Sequence, residues 1–352
     1  MNIVAIGSDR SLCNPTSASA DRQRAYGKHF DTLTILVFSH RSHNVGPVAL
    51  SQSVHVYPTQ SRSKLLYGLD AGNIARRLGP IDVVTVQDPF EGGLIGWIIA
   101  RVRRARFHVQ VHTDFLAPEF RHTWQNVVRV VVARFVIGRA DGIRVVSERI
   151  KGSIEKTYAP RASIAVVPIY VDLTKFRTAY TGILTDRFKQ FDARVLVVAR
   201  LEKEKNVSLA LEAFARSAPL RVCLIIVGEG SERKRLEARA SALGVSSRVF
   251  FEGTRDPVPY YALADLVLVP SLYEGYGLVI VEALAAGKPV LANDVGVARS
   301  AGAQIAGRGH FADALETWFN EGARIGVLTD YPYKSFEQYV AAYASDIKRC
   351  AH

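Results

Sequence analysis

The sequence is poor in sulfur, with three cysteines and one methionine among 352 residues. Cys13, Cys223 and Cys350 are odd in number, far apart and without metal-ligand spacing, so neither a disulfide framework nor a zinc site is expected. Reduced thiols and no metal are the expectation. Long apolar runs are missing too: Leu94 to Ala100 is too short to span a bilayer, and Val127 to Ile137 is interrupted by Arg129 and Arg134. No transmembrane helix is expected. The opening Met1-Asn2-Ile3-Val4-Ala5-Ile6-Gly7 lacks a positive leader and reads as a first buried strand, which points to the cytoplasm. Acidic residues are in deficit, 33 against 45 Lys and Arg, leaving a formal charge of +12 that favours anionic partners. With no basic helix in a known motif and no aromatic stacking platform, nucleic acid is set aside.

What is present is an alternation of strand-like and helical stretches. Apolar runs at Asn2 to Gly7, Thr32 to Phe38, Ser53 to Tyr57, Asp82 to Gln87, Phe107 to Val111, Gly142 to Val146 and Ile164 to Val167 predict a doubly wound parallel α/β sheet. A second series, from Arg194 to Val198 through Pro289 to Ala292, predicts another Rossmann-like unit. The weakly periodic stretch from Pro168 to about Asp192 reads as the linker. The expected domains are 1–177 and 178–330, facing an interdomain cleft, with 331–352 a terminal helix packing back toward the first.

The most informative stretch is Ser271-Leu272-Tyr273-Glu274-Gly275-Tyr276-Gly277-Leu278-Val279-Ile280-Val281-Glu282, an E-x7-E pair around a glycine-rich corner between strand and helix. The amides of Gly275, Tyr276, Gly277 and Leu278 would open the helix and can hold a diphosphate. Glu274 would lie beside whatever the phosphate carries. Glu282, a turn or more inside, can face a ribose, because one carboxylate accepts two hydroxyl hydrogen bonds. The competing reading is plain: a glutamate near a helix start is favoured by the helix dipole alone.

Arg200 and Lys205 follow a buried strand and can neutralise a departing diphosphate, or belong to a solvated mixed-charge loop. Gly228-Glu229-Gly230 opens like a dinucleotide fingerprint, but Arg233 stands at the third glycine position, which weakens a dehydrogenase reading. Gly228 serves either a tight turn or nucleotide approach. Thr254 and Arg255 end another strand and can border a base or ribose. His112 ends a strand in the first half, either bonding a sugar hydroxyl or serving as a structural histidine, with Asp114 placed to orient it or to meet an acceptor hydroxyl.

Over nearly its full length the chain resembles retaining GT-B glycosyltransferases of the family 4 type. The resemblance rests on Arg200-Leu201 with Glu204-Lys205-Asn206, Gly228-Glu229-Gly230, Phe251-Glu252-Gly253, the Glu274 to Glu282 block running on to Val290, His112, and Ala140 to Ser147. It implies sugar transfer from a nucleoside diphosphate sugar to a hydroxyl acceptor, with retention and without an obligatory metal or other cofactor. It also implies that Arg200 and Lys205 meet the phosphates, Glu274 the donor sugar, Glu282 the ribose and His112 the sugar from across the cleft. The second domain would bind the donor and the first the acceptor. Two departures stand out. Ala199 replaces the usual glycine before the arginine, and the loop Ser8 to Tyr26 lacks the usual double glycine, leaving only Gly7 on the acceptor side. Ser17, Ser19, Asp21 and Arg22 there either shape an acceptor pocket or belong to a disordered polar loop.

The stretch Arg121 to Ala140 sets valines among arginines, which fits a helix on an anionic bilayer, peripheral on the inner face of the cell membrane, as well as one buried against the sheet. A lipid-linked or polysaccharide-precursor acceptor and a soluble one both stay open. The rivals to transfer are a nucleotide-sugar-binding GT-B protein without activity and a GT-B epimerase.

Overall fold

The computed structural model describes residues 1–178 and 182–351. It comprises two compact units, Met1–Pro168 with Lys334–His352, and Ile169–Tyr333. Residues 169–177 fall in the second, where the Phe176 ring meets Tyr261 edge-on at 5.6 Å. The linker expected from Pro168 to Asp192 includes residues 179–181, which lie outside the described residues.

In the first unit, strands β1 (Asn2–Gly7), β2 (Thr32–Val37), β3 (Val48–Ala49), β4 (Val54–Pro58), β5 (Val83–Val86), β6 (Arg106–Val111), β7 (Gly142–Val145) and β8 (Ile164–Val166) lie in the order β3-β4-β2-β1-β5-β6-β7-β8. Only the short β3 runs antiparallel to its neighbour. Helices α1 (Ala18–Gly27), α2 (Tyr67–Arg76), α3 (Glu91–Arg103), α4 (Trp124–Ile137) and α5 (Glu148–Tyr158) connect the strands. Coverage on both faces explains why the strands are continuous apolar runs and not alternating ones.

The stretch Ser8 to Tyr26 is not a disordered loop. A 3-10 turn at Arg10–Cys13 leads into α1, whose first turn is capped by Ser17 Oγ accepting from the Ala20 N–H at 3.1 Å. Arg24 then ties the helix down, donating to the carbonyls of Leu50 and Pro15 at 2.9 and 2.7 Å. Ser17 is thereby committed to the fold.

In the second unit, β9 (Ala193–Val198), β10 (Val222–Val227), β11 (Val249–Gly253), β12 (Leu266–Val269), β13 (Val290–Ala292) and β14 (Gln304–Ile305) form a parallel sheet in the order β11-β10-β9-β12-β13-β14. Helices α6 (Leu173–Arg177), α7 (Ile183–Arg187), α8 (Val207–Ser217), α9 (Arg233–Ala242), α10 (Val258–Leu263), α11 (Leu278–Ala285), α12 (Ala298–Ala301) and α13 (Phe311–Glu321) accompany it. Phe214, Phe311, Leu315 and Trp318 close one face over Val195, Leu224 and Leu266. Each such side chain contributes roughly 1.5–3 kcal/mol by leaving water.

The last helix, α14 (Phe336–Ala351), packs on the sheet of the first unit through a buried polar network. Arg144 Nη1 donates to Gln110 Oε1 at 2.7 Å, its Nη2 and Nε reach the Val167 carbonyl at 3.1 and 3.3 Å, and its Nη2 also meets the Tyr339 hydroxyl at 3.3 Å. His108 bridges Thr85 Oγ1 at 2.8 Å and the Asp346 carboxylate at 3.0 Å. A buried guanidinium without partners would be costly, and here its donors are met. Among the described residues no helix is long and apolar enough to cross a membrane.

Candidate functional site

Strand order in the second unit reverses between β9 and β12, and ligands of open parallel sheets gather at the carboxyl ends of strands flanking such a reversal. Arg200 and Lys205 follow β9; Ser271 and Glu274 follow β12. Lys205 Nζ donates to Glu274 Oε1 at 2.6 Å, and Ser271 Oγ donates to the same oxygen at 2.8 Å. The ion pair is largely shielded, with side-chain exposures of 17% and 16%. Arg200 bonds Glu204 Oε1 at 2.9 Å but is 72% exposed, so the pairing is weak and the guanidinium can swing onto an anion. The two loops are fastened by the Leu272 N–H donating to the Glu204 carbonyl at 2.8 Å.

The corner after Glu274 depends on glycine. Gly277 stands at φ +95 just before α11, a left-handed conformation that costs an L side chain. Within that first turn the Ile280 and Val281 amides donate to the Gly277 carbonyl at 3.0 and 3.5 Å, so the Leu278 and Val279 amides, which precede them, are the ones placed to meet an anion. Gly275 and Tyr276 lead into this turn; the Tyr276 ring is buried and its carbonyl accepts from the Val297 N–H at 2.8 Å. Inside α11, Glu282 accepts from the Tyr261 hydroxyl at 2.7 Å. Burial raises the Glu282 pKa above the usual carboxylate value, while the Tyr261 hydrogen bond opposes that shift.

Gly228 takes φ +139, and a Cβ there would lie 1.9 Å from the Ala199 carbonyl oxygen. Its N–H donates to the Gly253 carbonyl at 2.8 Å. The backbone of Gly228 therefore admits the loop that carries Arg200, and its amide is used within the fold. Thr254 and Arg255 are exposed after β11, which is separated from β9 by β10.

Three predicted residues belong to the first unit. Gly7 ends β1, and His112 and Asp114 follow β6, with β5 between the two strands. His112 Nε2 is buried without a hydrogen-bond partner. Burial first, and the Arg144 charge second, push its pKa down to about 3, so the imidazole is neutral near pH 7. Asp114 does not orient the ring through that nitrogen. Burial raises the Asp114 pKa, opposed mainly by the charge of Arg149.

The description "Glycosyl transferases group 1" matches residues 186–304, and "Glycosyl transferase 4-like domain" matches residues 23–169. The chain belongs to the group 1 glycosyltransferases. It is 31% identical over 264 residues to D-inositol 3-phosphate glycosyltransferase of Nocardia farcinica, covering 66% of this chain and 58% of that enzyme. Identity to alpha-monoglucosyldiacylglycerol synthase of Streptococcus pneumoniae is 26% over 234 residues, 60% of this chain and 52% of that one. The chain thus spans a little over half the length of these curated relatives. The crystal structure of Anabaena HepE in complex with UDP superposes with TM-score 0.70 at 21% identity, over 99% of this chain and 95% of that chain. That likeness shows the fold, GT-B, with two parallel-sheet α/β domains.

In this group 1 glycosyltransferase several residues that shape the site carry no motif of their own. Ser271 stands immediately before the E-x7-E corner, and that adjacency is the one signal for it. Tyr261, on α10, is invisible to spacing because its partner Glu282 lies on another helix. Asn293 Nδ2 donates to the carbonyls of Pro270 and Ser271 at 2.7 and 3.0 Å, holding the corner from β13. Gly296, at φ +51, lets the following loop pass where a Cβ would stand 2.2 Å from the Tyr276 carbonyl oxygen.

Proposed function

We propose that the protein transfers a sugar from a nucleoside diphosphate donor to a hydroxyl acceptor, with retention at the anomeric carbon and without a metal. The observation that carries the reading is the shielded Lys205–Glu274 pair at the β9/β12 reversal, beside the exposed guanidinium of Arg200 and the first two amides of α11, Leu278 and Val279. In this reading the diphosphate lies on those amides, Lys205 and Arg200 take up its charge, Glu274 turns to a donor-sugar hydroxyl and Glu282 grips the ribose diol. Thr254 and Arg255 border the base side. The UDP held by HepE supports a nucleotide donor.

The acceptor hydroxyl attacks the anomeric carbon on the face from which the diphosphate departs. As the new C–O bond forms, the bond to phosphate breaks, and the acceptor proton passes to the leaving phosphate oxygen. His112, kept neutral, contacts a sugar hydroxyl, and Gly7 and Asp114 belong to the acceptor side. A relative named for a diacylglycerol product supports a lipid-linked acceptor, met from the cytoplasm at the inner face of the cell membrane.

The test is a thermal-shift panel of UDP, GDP and ADP sugars, followed by product analysis with the best binder. The expected result is a shift with one base and transfer of its sugar. No shift with any of them overturns the reading. A shift without turnover favours a binding protein, and a changed donor sugar without transfer favours an epimerase.

A further inference from the structure

The large apolar side chains exposed on the first unit fall on one layer of helices. Crossovers from β4 to β5, β5 to β6 and β6 to β7 step the same way across the sheet, so right-handed connections place α2, α3 and α4 side by side on one face. Gly68 of α2 closes on Ile95 of α3, and Trp97 of α3 meets Phe135 of α4 edge-on at 5.0 Å. Leu65 (93% exposed), Leu69, Ile98 and Val102 flank a groove of about 300 Å³ between α2 and α3. Gly72 helps keep it open, since a Cβ there would meet nothing within 4 Å. On α4 the outward stripe is Trp124 (75% exposed), Val127, Val128 and Val131. That helix therefore buries Ala133, Val136 and Ile137 against the fold, half-buries Val130 and Val132, and leaves Val127, Val128 and Val131 exposed.

The same face is cationic. Asp70 and Glu91 are the only carboxylates on these three helices, and Glu91 is bound by Arg129 at 2.9 Å. Arg76 and Arg77 end α2, and Arg101, Arg103 and Arg104 end α3. Arg101 and Arg104 also line an open cavity of about 1080 Å³ together with Arg106 and Arg139, where Asp82 and Asp141 stand as well and Asp141 pairs with Arg106 at 3.2 Å, leaving arginine in excess. A second copy of the chain would set arginine against arginine on this face. Nucleic acid would leave the leucines and valines unmatched. An anionic bilayer meets both features at once, its phosphates facing the arginines and its hydrocarbon taking the apolar side chains.

We infer that the outer face of α2, α3 and α4 is a docking surface for a bilayer containing anionic phospholipid, with Trp124 seated at the interface and the α2–α3 groove receiving hydrocarbon. This deepens the lipid-acceptor reading by naming the surface, and it is measured without donor or turnover.

The experiment is co-sedimentation of the full chain with vesicles of phosphatidylcholine alone or mixed with phosphatidylglycerol, alongside UDP binding by calorimetry. Binding is expected to the mixed vesicles, weakening as salt rises, with a blue shift of tryptophan emission that Trp124→Phe reduces. Arg101→Glu with Arg104→Glu is expected to lower vesicle affinity at least about tenfold, and so is Val128→Ser with Val131→Ser, while UDP affinity stays at wild type. Absence of binding to mixed vesicles overturns the proposal, as does equal binding to both vesicle types. Loss with the charge reversals but none with the serine variants would also overturn it, reducing the face to a simple anion binder. Failed UDP binding with intact vesicle binding would instead count against the donor-site reading.

Discussion

Removing the Lys205 ammonium probes both the fold and the donor site. The Nζ to Oε1 distance of 2.6 Å with both side chains about one-sixth exposed gives a Coulomb attraction of ~6 kcal/mol at an effective dielectric near 20. Desolvation offsets most of it, leaving a net coupling on the order of 1–3 kcal/mol. Lys205→Ala leaves Glu274 with only Ser271 Oγ as a described donor, so urea unfolding should show a loss of about 2 kcal/mol. Adding Glu274→Gln to Lys205→Ala should recover part of that loss, because an uncharged amide tolerates the site better. For the nucleoside diphosphate alone, Lys205→Ala should weaken binding by about 2 kcal/mol or more, roughly thirtyfold. Glu274→Gln should leave that affinity equal or higher, since Lys205 is no longer shared, while the intact donor sugar binds more weakly. Calorimetric titration of each variant with the diphosphate and the sugar donor reads all four values. A coupling near zero, or an unchanged diphosphate affinity in Lys205→Ala, refutes the reasoning.

Tyr261→Phe removes the hydrogen bond that holds the Glu282 pKa down against burial, so the acid limb of donor binding should move to higher pH, with wild-type affinity regained in alkali; calorimetry across pH checks it. Gly228→Ala forces a side chain onto the Ala199 carbonyl at positive φ and should cost more than about 2 kcal/mol in urea unfolding. His112 takes up a proton more readily when unfolded, its folded pKa near 3 lying below the ordinary 6.5, so this group's contribution is complete above pH 6.5 and is lost as pH falls toward 3. The loss is at most about 1.4 kcal/mol per pH unit, and His112→Gln should flatten the melting temperature between pH 7 and 5.

The βα alternation was legible because strands covered on both faces, such as Val222–Val227, are unbroken apolar runs. The corner at Glu274 was legible because its glycines and carboxylates are close in sequence. Helix α1 was not: it buries only Ala20, Tyr26 and Gly27, so no apolar stripe marks it, and its hold comes from Ser17 and Arg24. The Tyr261–Glu282 bond escaped for a different reason, since it joins two helices through side chains that no periodicity links. Gly228 carried a ligand-like signature, yet φ +139 and the Ala199 carbonyl account for it through close backbone approach. For α4, the valine and arginine pattern fitted burial and a bilayer equally, and the exposure of Trp124, Val128 and Val131 sets aside full burial alone.

The central claim is retaining transfer at the Lys205–Glu274 site, and it meets its most direct test in proton NMR of the product formed from the best-binding α-linked nucleoside diphosphate sugar. The account predicts an α-linked product whose formation collapses in Lys205→Ala. A β-linked product, or transfer that persists undiminished in that variant, would contradict it.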